Sequence, residues 1–178
     1  MTRSTLTTPF INLKINLSGM ALGQIHLSDA EAAWLAAAID GEGSITFFIK
    51  RDKQSGKPVI EPHVSIYNNS VPFLNYAKKI IGFGNVYCKE NRASEYRLNS
   101  QNLCYQILTQ TFPFLIIKRL QARKVMQFCE RNGGTYTLKD LHIYEAVKRA
   151  NYKHNAPLLQ NDLYNELKMQ LESGGDYI

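Results

Sequence analysis

Residues 34–48, WLAAAIDGEGSITFF, constrain the fold of this chain more than any other stretch of the sequence. They join a helix-forming run to a strand-forming run through two carboxylates, Asp40 and Glu42, that alternate with glycines. Glycine at Gly41 and Gly43 tolerates unusual backbone angles and lets another backbone approach closely. The stretch therefore predicts that the helix stops at Gly41 and Gly43 and that both acids lie at a tight helix–strand junction.

The helix before this junction is well defined by its sequence. Ser28 and Glu31 have the spacing of a capping box, which predicts the helix start. Ala33, Ala36 and Ala37 then recur at three- and four-residue spacing and give one face small side chains. A face of this kind lets a second helix pack very closely.

The rest of the chain alternates helical and hairpin patterns. Strand composition is found at 44–51, 59–67, 85–90 and 94–99, and helical spacing at 70–81, 100–112, 113–134, 138–154 and 157–172. Pro58 and Pro62 indicate an edge-like second strand. This order predicts an α+β fold in which four antiparallel strands form one sheet backed by helices. We expect one domain over 28–178, with a core at 28–132, C-terminal helices at 138–172 and an N-terminal extension at 1–27.

Composition limits the class of protein. The chain has 178 residues and a net charge of +6, which favours a polyanionic partner without requiring one. No run is long enough to cross a bilayer, so we expect a soluble protein without a membrane partner. The cysteines Cys88, Cys104 and Cys129 are expected to be small core residues in a reducing compartment. The extension 1–27 fits a transit peptide, a packed segment or an arm.

Residue parity divides each predicted strand into an apolar and a polar or mixed face. The mixed face is either solvated or a nucleic-acid-reading surface, because it combines donors, acceptors, aromatics and cations. Its members are Ser44, Thr46, Phe48, Lys50, Glu61, His63, Ser65, Tyr67, Tyr87, Lys89, Glu95 and Arg97. The turn-rich loops add Arg51, Lys53, Gln54, Lys57 and Arg92 as candidate DNA contacts.

Leu35–Gly43, LAAAIDGEG, resembles the LAGLIDADG motif of homing endonucleases, with Ala37 where the family usually has glycine. The resemblance extends over about residues 30–131 in the order helix, hairpin, helix, hairpin, helix, and IGFGNVY and FPFLIIKRLQARKV are also similar to family segments. It implies the αββαββα fold, with a four-stranded antiparallel saddle-shaped sheet and, in this chain, extra C-terminal helices.

The same resemblance implies an activity. Single-motif members of the family are homodimers that cut both strands of a long pseudo-palindromic DNA site and leave short 3′ overhangs. The seam would contain Ala33, Ala36, Ala37 and Asp40. Mg²⁺ would support cleavage, Ca²⁺ would support binding without cleavage, and no organic cofactor is expected. The compartment would be the cytoplasm of a prokaryote or an organelle matrix.

The resemblance also assigns roles to individual residues. Glu42 and the carbonyl of Gly41 would bind metal, and Lys118 would stabilise charge beside the scissile phosphate. Asn68 or Asn69 would position the attacking water. We expect Asp40 to be structural, bonding backbone at the helix ends.

A non-cleaving binder on the same fold is the competing hypothesis. It would be an RNA maturase that assists intron splicing or a DNA-binding regulator. Retention of Glu42 and Lys118 favours cleavage, since a pure binder needs no acid at a phosphate-facing site. The four histidines have no ligand spacing, so a histidine-based nuclease centre is not expected.

Overall fold

The computed structural model describes residues 23–131, 136–151 and 162–173, so most of the predicted N-terminal extension lies outside the described residues. The elements run in the order α1 (Asp29–Glu42), β1 (Gly43–Arg51), β2 (Pro58–Asn68), α2 (Val71–Ile81), β3 (Asn85–Tyr87), β4 (Ser94–Leu98), α3 (Gln101–Thr111), α4 (Arg119–Cys129), α5 (Leu138–Asn151) and α6 (Asp162–Glu172). This order confirms the predicted helix–hairpin–helix–hairpin–helix core.

The four strands form one antiparallel sheet in the order β1-β2-β4-β3, which confirms the α+β prediction. β2 as a whole is not an edge strand, because it pairs with β1 on one side and with β4 on the other. The edge-like prediction applies to its first half only. Pairing with β4 begins only at Val64, so Pro58 and Pro62 lie in the half of β2 that pairs with β1 alone. The missing proline N–H groups therefore cost the sheet nothing there.

The core lies between the helices and one face of the sheet. Ile45 and Phe47 on β1 and Ile66 on β2 are fully buried, whereas Phe48, the next residue after Phe47, is exposed on the opposite face. Leu35 and Ala36 of α1 are buried in the same core. The Asn151 side chain of α5 donates to the carbonyl of Ile45, 2.8 Å away, and so occupies the outer edge of β1. The helices of the described residues thus cover one face of the sheet and leave most of the opposite face open.

The carboxylate of Asp40 ties α1 to the start of α4. It accepts hydrogen bonds from the backbone N–H groups of Ile116 (2.6 Å), Ile117 (3.1 Å) and Lys118 (2.9 Å). The sequence pattern predicts one helix from residue 113, but α4 begins at Arg119. The prediction is wrong in its start because a side chain from α1, and not a local helical turn, takes these N–H groups.

Charge reinforces this link. Burial raises the pKa of Asp40, and the hydrogen bonds from Ile116, Lys118 and Ile117 together with the Lys118 charge outweigh burial, so the pKa lies below its usual value. The Lys118 ammonium donates in turn to the backbone carbonyl of Asp40, 2.6 Å away. The two residues are therefore linked through both side chains.

The two motif glycines have different roles. Gly41 does not end α1, which continues through Glu42, and a Cβ built at Gly41 meets nothing within 4 Å. A Cβ at Gly43 would lie 2.7 Å from the Ile39 Cα and 2.7 Å from the Ser65 carbonyl oxygen. The Gly43 backbone has a φ of −108°, which any residue adopts, so glycine is needed there for close approach alone.

Other predictions are confirmed or corrected locally. The capping box of Ser28 and Glu31 is present, with both of its hydrogen bonds. Cys104 and Cys129 are buried as predicted, whereas Cys88 is exposed and is not a core residue. In the described part of the chain, no helix combines the length and the apolar character needed to span a membrane.

Gly43→Ala is expected to lower the free energy of unfolding by about 1–3 kcal/mol, because the new methyl group meets backbone atoms that cannot move independently. Gly41→Ala is the matched control and is expected to be neutral or stabilising by up to about 1 kcal/mol, since alanine favours a helix interior. Urea denaturation of both variants measures the difference. Equal costs at the two positions would contradict this packing argument.

Asp40→Ala is expected to lower the free energy of unfolding by about 1–3 kcal/mol, because three N–H groups lose their acceptor. The folded pKa of Asp40 is depressed, so its stabilisation is complete above the unfolded pKa of about 3.9 and is lost as pH falls through the folded value. Denaturation of wild type and variant from pH 7 to pH 2 measures this. A difference in stability that stays constant over that range would contradict the assignment.

Candidate metal centre and nucleic-acid interface

Glu42 and Gly41 lie at the exposed C-terminal end of α1, directly before β1. Within the described residues, the Glu42 carboxylate has no hydrogen bond or ion pair. The carboxylate and the backbone carbonyl of Gly41 are hard oxygen donors of the type that Mg²⁺ prefers. Glu42 is thus an exposed acid at this end of the sheet, without a bonded partner among the described residues.

Lys118 is brought to the same place by the link to Asp40. Burial lowers the pKa of Lys118, while the negative charges of Asp40 and Glu42 oppose that shift. The ammonium therefore lies within electrostatic reach of the predicted metal ligand, although the two residues are far apart in sequence. Its position depends on the α1–α4 junction and not on helical spacing within α4.

Asn68 and Asn69 follow at the end of β2, the same end of the sheet at which β1 begins. The side-chain oxygen of Asn68 accepts from the N–H of Ser70, 2.8 Å away, at the start of α2. Asn69 is exposed. The Asn68 side chain thus bonds the turn before α2, whereas the Asn69 side chain is open to solvent. Both remain candidates for orienting water.

One chain supplies few ligands for a divalent ion. Among residues 23–131, 136–151 and 162–173, no three His, Cys, Asp or Glu side chains cluster as a metal site. Glu42 and the Gly41 carbonyl fit Mg²⁺ in donor type, but Mg²⁺ needs about six oxygen ligands. The remaining ligands would have to come from water, phosphate or a second chain.

The mixed polar face that strand parity predicts is the more open face of the sheet, and its role in reading DNA stays a prediction. The register places Ser44 opposite Ser65, Thr46 opposite His63 and Phe48 opposite Glu61, with one strand edge continuing to Lys50. On the far side, Tyr67 pairs with Glu95 and Tyr87 pairs with the same residue. The parity argument therefore places all these residues on one surface, as predicted from sequence.

Three residues predicted as DNA contacts are buried on that face. Glu95 and Ser65 are each 2% exposed and His63 is 5% exposed. Their side chains support neighbouring residues and present little surface to a partner. The alternation of strand residues could not show this, because it identifies the face and not the depth of a side chain within it.

Glu95 is the centre of an ion-pair network. It receives two bonds of 2.8 Å from Arg97, one of 3.0 Å from Lys89 and one of 3.1 Å from the Ser65 hydroxyl. Burial raises the pKa of Glu95, but these cations and hydrogen bonds lower it overall to about 2. The network holds the Arg97 guanidinium 5.1 Å from the ring centroid of Tyr87 and so orients an exposed cation.

A second network surrounds Glu61. Its carboxylate forms an ion pair with Lys50 across the strand pair. It also accepts a hydrogen bond from Nε2 of His63, 2.7 Å away. Burial raises the pKa of Glu61, whereas Lys50 and His63 lower it overall. Burial also lowers the pKa of His63, which is consistent with a neutral ring at neutral pH.

The hairpin tip between β1 and β2 is held in place from both sides. Asp52 accepts from the N–H groups of Gln54 and Ser55 within the turn. Arg51, a predicted contact, forms a two-bond ion pair with Glu166 of α6 and also donates to the Gly56 carbonyl. Arg51 nevertheless stays exposed, as do the predicted contacts Lys53, Gln54 and Lys57 at the tip and Arg92 on the second hairpin loop.

Lys148 of α5 was not found from the sequence. It is only 8% exposed, and its ammonium lies 4.8 Å from the Phe48 ring centroid and 5.4 Å from that of Tyr144. Burial lowers its pKa. The i, i+4 spacing from Tyr144 was a weak signal for that contact, but nothing in the sequence placed α5 beside β1.

Fewer of the predicted dimer-seam residues on α1 are exposed than the sequence indicates. Ala37 is exposed and Ala33 and Asp40 are partly exposed, but Ala36 is fully buried in this chain's own core. Four apolar side chains in the first turn of α4 and in the segment just before it are exposed, and we call them the α4 apolar patch. Its members are Phe114 (38% exposed), Ile116 (83%), Ile117 (70%) and Leu120 (53%).

Solved structures share this architecture. The chain superposes on the homing endonuclease I-CvuI, crystallised in complex with DNA, with a TM-score of 0.61, 23% identity and coverage of 80% of this chain and 95% of that chain. The archaeal intron-encoded homing endonuclease I-Vdi141I, complexed with DNA, matches with a TM-score of 0.64, 18% identity and coverage of 79% and 96%. A mutant of I-SmaMI matches with a TM-score of 0.56 and 17% identity over 78% of this chain but only 48% of that chain.

No protein-family model matches the chain, and no curated protein matches it in sequence. The structural likeness covers nearly the whole length of I-CvuI and I-Vdi141I. The chain therefore has the LAGLIDADG homing endonuclease fold, and the resemblance predicted from Leu35–Gly43 is confirmed at the level of the fold.

Proposed function

We propose that this chain is a site-specific homing endonuclease that hydrolyses both strands of a long pseudo-palindromic DNA site and leaves short 3′ overhangs. One observation carries the proposal. The exposed carboxylate of Glu42, which has no hydrogen bond or ion pair within the described residues, shares the end of the sheet with Lys118, and Asp40 holds the two elements together. A pure DNA binder gains nothing from an acid beside phosphate.

The reaction requires a water oxygen to form a bond to phosphorus while the P–O3′ bond breaks. A divalent cation such as Mg²⁺, held by Glu42 and the Gly41 carbonyl, would supply Lewis-acid activation and charge stabilisation. Lys118 would stabilise the negative charge that grows on the phosphoryl oxygens. Asn68 or Asn69 would orient the attacking water. I-CvuI was crystallised with the I-CreI target in the presence of Mg²⁺, where the DNA was not cleaved, and with its own target in the presence of Ca²⁺. Both structures contain a divalent cation together with DNA, which is compatible with this proposal.

The uncovered sheet face would read the DNA. A two-stranded β-ribbon fits the major groove, where every base pair presents a different pattern of donors, acceptors and methyl groups. The exposed set on this face contains Phe48, Lys50, Tyr87 and Lys89, with Arg97 oriented by Glu95. The tip cations Lys53 and Lys57 would contact phosphate, since they extend beyond the sheet at the hairpin turn.

A homodimer completes the proposal. Each chain contributes one free acid at the site, and a hard divalent ion needs more oxygen ligands than that. The chain matches nearly all of I-CvuI but about half of I-SmaMI, so one copy is equivalent in length to half of the longer protein. Ala33 and Ala37 of α1, with the α4 apolar patch, form a continuous candidate seam. Two-fold symmetry then predicts the pseudo-palindromic site.

Glu42→Gln is expected to reduce Mg²⁺-dependent cleavage by at least about 100-fold while retaining DNA binding, because it removes a charged ligand and keeps the shape of the side chain. Cleavage selection from a random duplex library in Mg²⁺, with Ca²⁺ in parallel, provides the site and the assay. Lys118→Met is expected to reduce cleavage in the same assay. Glu130→Gln and Lys139→Met, both exposed and remote, are the matched controls.

Two results would overturn this assignment. Cleavage unchanged in Glu42→Gln would remove the proposed metal ligand. If the wild-type protein cuts no duplex but binds a folded intron RNA and accelerates the splicing of that RNA, the maturase alternative is established instead.

The double substitution Ile116→Lys and Ile117→Lys is expected to convert a dimer to monomers, because it would bury four like charges at the seam. Sedimentation equilibrium measures the assembly, and circular dichroism checks that both side chains, exposed in the single chain, are dispensable for folding. Met169→Lys, at a 65% exposed apolar residue on α6, is the matched control. A monomeric wild type, or a dimer that persists in the double variant, would contradict the proposed seam.

A further inference from the structure

Phe48 is an unusual residue to leave uncovered on the reading face. Its side chain is 46% exposed on the edge strand β1, between Thr46 and Lys50 on the same face. An isolated exposed aromatic ring on a protein surface needs no explanation by itself. This ring, however, is held in place by two buried neighbours, His63 and Lys148.

Two neighbours fix the ring of Phe48. The His63 ring centroid lies 4.5 Å away with an interplanar angle of 57°. The Lys148 ammonium lies 4.8 Å from the Phe48 centroid, and in the described part of the chain this lysine has no salt bridge. A buried cation without an anionic partner gains most from an aromatic face, so it restrains the ring.

Several polar groups next to Phe48 already have hydrogen-bond partners. Glu61, which faces Phe48 across the strand pair, binds both Lys50 and His63. The Thr46 hydroxyl donates to the Phe47 carbonyl over 3.5 Å. Within the described residues the His63 Nδ1 atom has no hydrogen-bond partner and Lys148 has no salt bridge, but both residues are buried. A base pair that docks here therefore meets the exposed apolar ring before it meets either of these groups.

We infer that Phe48 reads the C5-methyl group of a thymine in the major groove; this inference rests on the proposed DNA-reading function of the sheet. In the major groove the thymine methyl is the one apolar group that a base pair offers, and all other edge groups are donors or acceptors. A donor or acceptor placed against the ring would lose its water without a new partner. The ring thus favours T·A over the other pairs at one position in each half-site, and Lys148 and His63 act as positioning residues.

The methyl contact can be tested by removing only the methyl. Deoxyuridine has the same hydrogen-bonding edge as thymidine but lacks the C5-methyl group. The site is first selected from a random duplex library by binding in Ca²⁺, and each thymine of the selected site is then replaced singly by deoxyuridine. Loss of one buried methyl is expected to weaken binding by about three- to fivefold at one position per half-site.

Variants identify the residue responsible. Phe48→Ala is expected to bind the thymine and deoxyuridine sites equally, and Phe48→Gln to select adenine at that position, because glutamine pairs with the adenine edge. Lys148→Met, which keeps the side-chain length without the charge, is expected to bind the selected thymine site but to lose part of the methyl discrimination. Lys53→Ala is the matched control, expected to weaken both sites by the same factor, since phosphate contacts do not distinguish bases.

The possible results separate the two levels of the proposal. A wild-type protein that enriches a site but is insensitive to deoxyuridine at every position overturns the Phe48 inference and leaves the proposed function intact. Deoxyuridine sensitivity that is unchanged in Phe48→Ala also overturns it, because another residue then reads the methyl. Failure to enrich any duplex site overturns the proposed function and, with it, the inference.

Discussion

The bond between the Asp40 carboxylate and three N–H groups at the start of α4 is the constraint on which the candidate site depends. Without it, Lys118 would belong to an ordinary helix beginning several residues earlier. With it, the charged end of α4 is fixed beside the exposed Glu42, and the side chain of Lys118 turns back onto the Asp40 carbonyl. A carboxylate that accepts several N–H bonds at a helix start is both well satisfied and strongly directional. The acid that looks most like a second metal ligand in the sequence is therefore the one that the fold uses for itself.

The uncovered sheet face follows a similar division. Glu95 pairs with Lys89 and Arg97, and Glu61 pairs with Lys50, while these three cations remain at least partly exposed. Burying a carboxylate under a cation costs desolvation energy, which is offset only when several bonds are made, as Glu95 makes with Arg97, Lys89 and Ser65. The result is a set of exposed side chains with restricted orientations. Restricted side chains lose less entropy on binding DNA, which favours specificity over general attraction to a polyanion.

The C-terminal helices give the face a border that the core motif does not provide. Asn151 bonds the edge of β1, Lys148 lies over Phe48, and Glu166 pairs with Arg51 at the hairpin tip. An open strand edge is a site for unwanted pairing, and these contacts cover it. In the proposed dimer, the seam is formed by α1 and the α4 apolar patch and not by the sheet. Assembly and DNA reading would therefore use different surfaces of the chain.

Much of this protein is determined by local sequence. The capping box of Ser28 and Glu31, the alternation of strand residues and the LAAAIDGEG motif predicted the element order, the antiparallel sheet and the identity of its two faces, because each depends on short-range periodicity. Only the tertiary structure decided the start of α4, the burial of Ala36, His63 and Glu95, the different needs of Gly41 and Gly43, and the arrival of Lys148 at Phe48. Each of these depends on contacts between residues distant in the chain. Spacing shows which way a side chain points, but packing between elements decides what it meets there.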